Sequence, residues 1–550
     1  MVEAETEEQV RKQRHIVASV AGTHYDIIKH VFKEVFGWTL TEDETEEFDV
    51  CWTDLGILPE RLACLKTYQK ISHFPGMFSI ARKNYLGRYL KGMHKLFPEE
   101  YDFFPQTWVL PTDLSELRLH FSTFKTRTFI VKPEASCQGR GIFLTRRLDD
   151  MPSRCVVQRY LHKPYLIDGL KFDLRIYVLV TGCDPLRIFL HEEGLARFAT
   201  ETYQSPLPSN FMDLCMHLTN YAINKNNPKF VFNENSSDAD VGHKRSLTAL
   251  FAELEDRGED VEALWEKIES IVVKTLISIQ PVLTHFYNSC QPDDPSNSMC
   301  FEVLGFDIII DHKLKPWLLE VNHAPSFSTD TPLDFDIKKT VLSDAFALLD
   351  VSKKTKLKHL SYSRKLMALR SKSTKYADIR LHKALVKQRW QKMRDKIEAQ
   401  SDGGFTKIFP AEKEEVYTML LEGARKVFSE HTLGRGSLKH VERQEEAKAQ
   451  IVKVVSKKRY PTKPLTSSNL VKRPAIEVPL VSKPAFPPKK IMSSKQLPSL
   501  PIKLPEVRSR QHSTSKLHGT FLKPKLIDFS GDQMTETDYQ LRLIKLNCSL

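Results

Sequence analysis

Phe301 to His323, reading FEVLGFDIIIDHKLKPWLLEVNH, carries two carboxylates and an amide that can converge on one cation. Residues 301–310 and 316–322 read as strands, rich in Val, Ile, Leu, Phe and Trp, and the polar Asp311-His312-Lys313 between them suits a turn. A hairpin turning near Lys313 and Leu314 sets Asp307 directly across from Glu320, and strand alternation puts Asn322 on the same face as Glu320. Two carboxylates and an amide, with neither Cys nor a paired His, suit a hard cation such as Mg2+, which keeps some waters and binds substrate phosphates. The alternative is a surface hairpin with its acids in water. It explains poorly why both acids interrupt runs as apolar as GFDIII and WLLEV.

Other stretches offer groups that suit phosphates. Lys132 ends the strand TFIVK, and the loop SCQGRG follows with Gln138, Gly139, Arg140 and Gly141. A strand-end lysine neutralises phosphate charge while small residues let backbone N–H groups approach, although the same pattern fits an ordinary β-turn. KFDLR says more, because Lys171, Asp173 and Arg175 alternate with Phe172 and Leu174 and so share one face of a strand that runs on into apolar YVLV. Such a row is costly on an internal strand unless it lines a polar cleft; the alternative is an edge strand facing water. Arg197, in EEGLARFA, offers a planar fork for a carboxylate. HLTNYAINK gathers Thr219, Asn220, Tyr221 and Lys225 in a segment that is neither clear helix nor clear strand. His217 and His323 lack a second His or Cys at ligating spacing and read as packed or hydrogen-bonded. Neither a Gly-x-Ser-x-Gly elbow nor a Cys-His signature appears, which argues against a hydrolase with a covalent nucleophile.

These groups need a scaffold, and the 550 residues allow two to four domains. Strand signals at TWVL, TFIVK, CVVQRYL and FDLRIYVLV alternate with helical patterns at KNYLGRYLKGMHKLF and over residues 262–286, indicating an α/β or α+β body. Further helices are expected over 376–400 and 413–428, and 11 prolines in residues 451–525 make a packed core there implausible. The net charge of +12 is uneven: residues 353–400 carry 16 Lys or Arg against three acids, and 451–525 carry 17 against two. Those stretches sum to +13 and +15, so the rest of the chain sums to −16. An acidic body with two basic appendages points to a polyanionic partner. Nine cysteines, without a CxxC pair, suit free thiols in a reducing compartment. The charged N-terminus and the absence of a long apolar run argue against a membrane span.

Phe74-Pro75-Gly76 with Arg82-Lys83-Asn84, then IVKP, CQGRGI, QRYL, LIDGLKFDLRIYVLV, EEGLARFA, HLTNYAINK and LGFDIIIDHKLKPWLLEVNHAPSF resemble, in this order, the tubulin tyrosine ligase-like family over about residues 70–350. Within it the chain is most similar to the glutamate-adding branch and its side-chain-elongating members. The resemblance implies an α/β (α+β) ATP-grasp fold, with ATP held between two domains. The expected division is a disordered segment 1–20, an N-terminal domain 21–105, central and C-terminal ATP-grasp domains 106–190 and 191–350, a basic, partly helical microtubule-binding region 351–430, and a mostly disordered tail 431–550. By resemblance, Lys132 meets the α and β phosphates, Gln138, Gly139, Arg140 and Gly141 form the loop over them, and Gln158, Arg159, Tyr160 and Leu161 form the hinge that reads adenine. Lys171, Phe172 and Asp173 match nucleotide contacts, Thr219 and Asn220 line the far side, and Asp307, Glu320 and Asn322 match magnesium ligands. Lys83 resembles a lysine near the γ-phosphate. Arg197 resembles the residue that pairs with the carboxylate of the incoming amino acid, with Tyr221, Lys225 and His323 nearby. Lys83, Lys171, Arg197 and Glu320 would be the catalytic set. Ser136 departs from the family, replacing a glycine of the loop and so stiffening it.

The activity so implied is an ATP- and Mg2+-dependent amide ligase that adds L-glutamate to glutamate side chains of tubulin C-terminal tails through an acyl phosphate. It would work as a monomer on microtubules, in the cytoplasm and cytoskeleton, with the cilium axoneme and basal body as further sites. Acidic tails and basic appendages are electrostatically matched. Glycine in place of glutamate, chain initiation in place of elongation, and the preferred tubulin subunit stay open. Two readings from other classes are weaker. A non-catalytic microtubule-binding protein would not be expected to keep Lys132, Lys171, Asp307, Glu320 and Asn322 together, and a nucleic-acid binder would carry more aromatic residues in its basic stretches.

Overall fold

The computed structural model describes residues 16–432, apart from Lys125 and residues 135–137, 236–238, 373–375 and 411–413. Ser136 and the Pro-rich tail lie outside the described residues, as do the first 15. Four parallel strands come first: β1 (Val17–Gly22), β2 (Thr39–Thr41), β3 (Val50–Thr53) and β4 (Lys70–Ile71), in the order β2-β1-β3-β4. Because β1 begins at Val17, the segment expected to be disordered to residue 20 is ordered at its end. Helix α1 (Lys83–Leu96) follows and buries Leu86, Tyr89, Leu90 and Met93 on one face, as the helical spacing of these residues requires.

The second sheet is antiparallel, with β5 (Thr107–Leu110), β6 (Phe129–Lys132), β7 (Phe143–Thr145) and β8 (Cys155–Arg159) in the order β5-β8-β6-β7. Alternation divides its two faces. Trp108, Phe129, Val131 and Val157 pack with Leu117 on one side, leaving Ile130, Lys132 and Gln158 on the other.

The third sheet has eight strands: β9 (Leu166–Ile167), β10 (Leu170–Cys183), β11 (Leu186–His191), β12 (Leu195–Phe198), β13 (Lys244–Ser246), β14 (Glu302–Ile310), β15 (Pro316–Asn322) and β16 (Phe405–Phe409). The long strand β10 is internal, pairing with β14 along one side and with β12 and then β11 along the other. The expected domain boundary at residue 190 therefore needs correction. Strands β10 and β11 hydrogen-bond into this third sheet, so the second sheet ends with β8 at Arg159. Helix α2 (Val261–Cys290) packs along the third sheet, and α3 (Pro332–Leu348) adds to the apolar layer beneath the first. Two α+β units facing each other across a cleft, with a small domain in front, make this the ATP-grasp fold that the resemblance implied.

The region after residue 350 departs from expectation. It forms α4 (Lys353–Ser371), α5 (Tyr376–Glu398) and α6 (Glu414–Thr432), and between the last two β16 adds an antiparallel strand to β11. Sequence reasoning missed α4. Much of the positive charge is closed onto the acidic body: Lys356 meets Asp49 at 2.7 Å, Lys383 meets Asp293 at 2.6 Å, and Lys387 meets Asp184 at 2.6 Å. In return Arg187 of β11, 1% exposed, pairs with Asp395 and Glu398 of α5 at 2.7 and 2.6 Å. Helix α6 lies so close to α1 that a Cβ on Gly423 would stand 2.3 Å from the Phe97 ring. Residues 353–432 are thus part of the folded body, which corrects their reading as an appendage. No helix among the described residues is long and apolar enough to cross a membrane. The seven described cysteines are free.

Candidate active site

The floor of the cleft is a row of charges set by strand register. On β10, Lys171, Asp173 and Arg175 point one way; Phe172 points the other, stacking on Phe198 at 5.2 Å between centroids. The Phe172 side chain therefore belongs to the core. Across the strands Asp173 faces Arg197, Arg175 faces Asp307, and Asp307 faces Glu320. Nε of Arg175 donates to Oδ1 of Asp307 at 2.6 Å, and Nη2 of Arg197 reaches Oδ2 at 2.8 Å. Burial pushes the Asp307 carboxyl up, but the two guanidiniums outweigh it and hold it well below the usual carboxylate range. Glu320 Oε2 lies 3.3 Å from Lys83 Nζ at the start of α1, and the Asn322 amide lies 3.4 Å from Asp307 Oδ2. Asp307 thus has Glu320 across from it on the paired strand and the Asn322 amide at 3.4 Å. Among the described residues no three His, Cys, Asp or Glu side chains form a group that could hold a metal ion, so the amide is needed to complete a donor set.

Above this floor is a cavity of about 740 Å³ lined by the opposite faces of the second and third sheets. Lys132 and Lys171 enter it from those two sheets, both about 7% exposed. Lys132 Nζ donates to Gln158 Oε1 at 2.9 Å; Lys171 Nζ donates to the His217 carbonyl at 2.7 Å and to Tyr160 Oη at 3.2 Å. Neither ammonium has a carboxylate within ion-pair distance among the described residues. Burial lowers Lys132 to about 8 and Lys171 to about 7. Five described lysines are this deeply buried, and Lys244 and Lys338 close together on Asp334. The remaining three, Lys70, Lys132 and Lys171, lack such a partner.

Of the loop and hinge residues, Gln138, Gly139 and residues 158–161 line the cavity. Gln138 and Gly139 have φ of 60° and 79°, and a Cβ on Gly139 would stand 2.5 Å from Ile223. Glycine there lets the loop lie against the turn 221–224 on the far wall. Gln158, Arg159, Tyr160 and Leu161 line the cavity with Thr219 and Asn220. Arg140 and Gly141 face solvent. His217, 0% exposed, bonds Tyr160 Oη and the Asn210 carbonyl and is a packed group, as its isolation in the sequence suggested. Apolar walls at Ile130, Ile142, Ile309 and Leu319 were not foreseen, since no motif marks an aliphatic residue that meets a ligand.

The groups expected to hold the amino acid are placed differently. Nε and Nη2 of Arg197 donate to the two oxygens of Asp173 at 2.9 and 2.5 Å, so the paired hydrogen bonds expected for a substrate carboxylate are made within the protein. Tyr221 donates to Asp330 at 2.8 Å and lies under Lys244 Nζ at 3.6 Å, with Lys225 exposed beside it. His323 follows Asn322 and turns to the other face of the strand, lining a separate small cavity with His73. Arg175 was read as part of the charged row but given no role; the structure makes it the main holder of Asp307.

A family model described as the tubulin-tyrosine ligase family matches residues 61–358. The chain is 53% identical over 433 residues to a probable beta-tubulin polyglutamylase of Tetrahymena thermophila, covering 77% of this chain and 36% of that protein. It is 42% identical over 431 residues to tubulin polyglutamylase TTLL6 of Mus musculus, covering 77% and 51%, and 45% identical over 364 residues to mouse TTLL7, covering 64% and 40%. The chain thus spans between about a third and a half of the length of these relatives.

Proposed function

Because the chain belongs to the tubulin-tyrosine ligase family, we propose that it is an ATP- and Mg2+-dependent ligase that lengthens glutamate side chains on tubulin C-terminal tails. The observation that carries this reading is a pair of buried lysines, Lys132 and Lys171, without carboxylate partners and sharing one cavity with Asp307 and Glu320, with the Asn322 amide 3.4 Å behind Asp307. A buried cation is costly unless paired, so a polyanion fits between them. The oxygen-only donor set, with Asp307 held ionised, suits magnesium. Bound ATP with magnesium would supply the phosphoryl group that converts the acceptor carboxylate into an acyl phosphate, which the amine of free glutamate opens to the amide as phosphate leaves.

The protein groups then divide the work. Lys132 and Lys171 offset charge on the transferred group from opposite walls, and Gln138 and Gly139 exclude water from above. Arg175 fixes the Asp307 carboxylate, while Lys83 balances Glu320 until the metal does so. Arg197 aligns Asp173 with Asp307 and brings its positive charge to the end of the cleft where Tyr221 and Lys225 stand, the side on which we place the incoming glutamate. The tubulin tail and microtubule are the partners in this reading, and the cytoskeleton, including the axoneme and basal body, the place of work.

The test is mass spectrometry of microtubules incubated with the protein, ATP, magnesium and either glutamate or glycine. Successive additions of glutamate to tails that already carry a branch are expected. Addition of glycine, or of glutamate to unbranched tails only, would overturn the assignment of donor or of elongation respectively.

A further inference from the structure

The third lysine without a carboxylate partner lies outside the cleft. Lys70, on β4, is 6% exposed and donates from Nζ to the Ser298 carbonyl at 2.8 Å. It lines a second, narrow cavity between the sheets and helices α4 and α5, with Thr181, Asp350, Thr355, Trp390 and Arg394 among the walls. Thr181 is six residues beyond Arg175 on β10, about 20 Å at the strand's rise, so this cavity is separate from the nucleotide cleft. Of the other charges on its walls, Glu398 and Arg394 are held by ion pairs, whereas Asp350 has only a hydroxyl partner and bears on Lys70 electrostatically. Asp350, held at a φ of 48°, accepts from Thr355 Oγ1 at 2.6 Å; Glu398 is shared by Arg187 and Lys407 at 2.6 and 2.8 Å; Arg394 donates to the Thr181 and Asn297 carbonyls at 2.8 and 2.9 Å. No carboxylate lies within ion-pair distance of Lys70 among the described residues, and burial lowers it to about 8.

A buried lysine without a carboxylate at ion-pair distance therefore recurs here, in a cavity that also holds Asp350 and an apolar wall. Its surroundings select the ligand. Lys358 of α4 reaches to 2.8 Å from Met393, which lines the cavity, and Lys392 and Lys396 of α5 are exposed on the same helix and make no ion pair among the described residues. A polyanion drawn to those lysines can lower a single acidic side chain past Met393.

We propose that this cavity receives the carboxylate of a glutamyl side chain from an acidic peptide lying across α4 and α5, paired with the ammonium of Lys70. The site works without nucleotide, so its failure would leave the reading of the cleft untouched, and failure of ligation would not affect it.

The experiment is fluorescence anisotropy of labelled hexaglutamate with the full chain, without ATP or metal, at near-physiological salt. Lys70→Met keeps the length of the side chain and removes its charge; it is expected to weaken the peptide at least about tenfold, as loss of one partner of a buried charge pair does. Met393→Trp, which fills the mouth, should give a comparable loss, so the proposal stays testable if Lys70→Met fails to fold. The melting temperature of Lys70→Met should hold or rise, because a lysine kept for a ligand burdens the fold. Unchanged peptide affinity in both variants would mean that water alone fills the cavity, and would overturn the proposal. Displacement of the peptide by millimolar free L-glutamate through a site abolished by Lys70→Met would assign the cavity to the free amino acid instead, and overturn its assignment to a peptide.

Discussion

The cleft and the cavity beneath α4 and α5 hold the same kind of group in opposite settings. In the cleft, Lys132 and Lys171 stand on strands whose register sets what faces them: Gln158 comes from the strand paired with that of Lys132, and Asp173 lies two residues along from Lys171. Around Lys70 the walls combine residues 181 and 298 of the body with residues 390 and 394 of the docked helix α5. The first site is assembled between paired strands of two sheets, and the second is completed by docked helices. Perturbing one should show in chemistry, and perturbing the other in docking and stability.

The largest effect expected is that of Glu320→Gln. The change is nearly isosteric and removes one of two negative charges from the metal-type hairpin, so turnover should fall about a thousandfold with the melting temperature held within a few degrees. Ligation unimpaired in a mass-shift assay would detach the hairpin from the reaction. Next comes Lys171→Met, which should weaken ATP about a hundredfold by leaving phosphate oxygens without their buried cation.

The same lysines give the cleft a pH signature. Bound phosphates would raise Lys132 and Lys171 from about 8 and 7, so affinity for ATP is full below pH 7 and declines as pH rises through 7 to 8, by up to about tenfold per unit for each group. Titration calorimetry in two buffers of different ionisation enthalpy should show protons taken up on binding. Proton release would mean that these lysines are charged only in the free protein. Arg197→Lys is expected to act more moderately, raising the apparent Michaelis constants for ATP and glutamate together by about tenfold, since its fork holds Asp173 and Asp307. A rise confined to glutamate would return Arg197 to the role of a substrate clamp.

The smallest effects separate two kinds of basic residue on α5. Arg389, Lys392 and Lys396 are exposed and make no ion pair among the described residues; replacing all three with Glu should lower microtubule affinity several-fold and flatten its salt dependence, with little change in melting. Lys383→Glu with Lys387→Glu should instead lower the melting temperature by several degrees, because each reversal faces its former partner, Asp293 or Asp184. If both sets lowered microtubule binding alike without affecting melting, the docking of α5 on the body would not hold in solution.

What the sequence revealed follows the same division. Alternation on KFDLR placed Lys171, Asp173 and Arg175 correctly because a strand has only two faces. The pairing of Asp307 with Glu320 was also legible, though not its route. Ile308 pairs with Leu318 and Asp307 with Glu320, so Leu319 is an extra residue that shifts the register by one. A turn centred between Lys313 and Leu314 gives the same pairing, whereas the strands below the bulge are centred on Lys313. The charge count over 353–400 was correct as a sum but misleading as a surface, since nothing in a string of lysines shows which of them meet Asp49, Asp184 or Asp293, 90 to 307 residues earlier. For Arg197 the sequence could not show a second partner: a fork that suits a substrate carboxylate suits Asp173 as well.

Strand β16 also bears on fragments of this protein. The family match ends at residue 358, and a fragment cut there would lose the strand that covers residues 188–191 of β11. Its backbone donors and acceptors would then lie open along an apolar edge, a template for another copy of the same fragment. Arg187 would be left in that edge without Asp395 or Glu398. Such a fragment should therefore self-associate during purification, and should regain solubility when residues through 432 are restored.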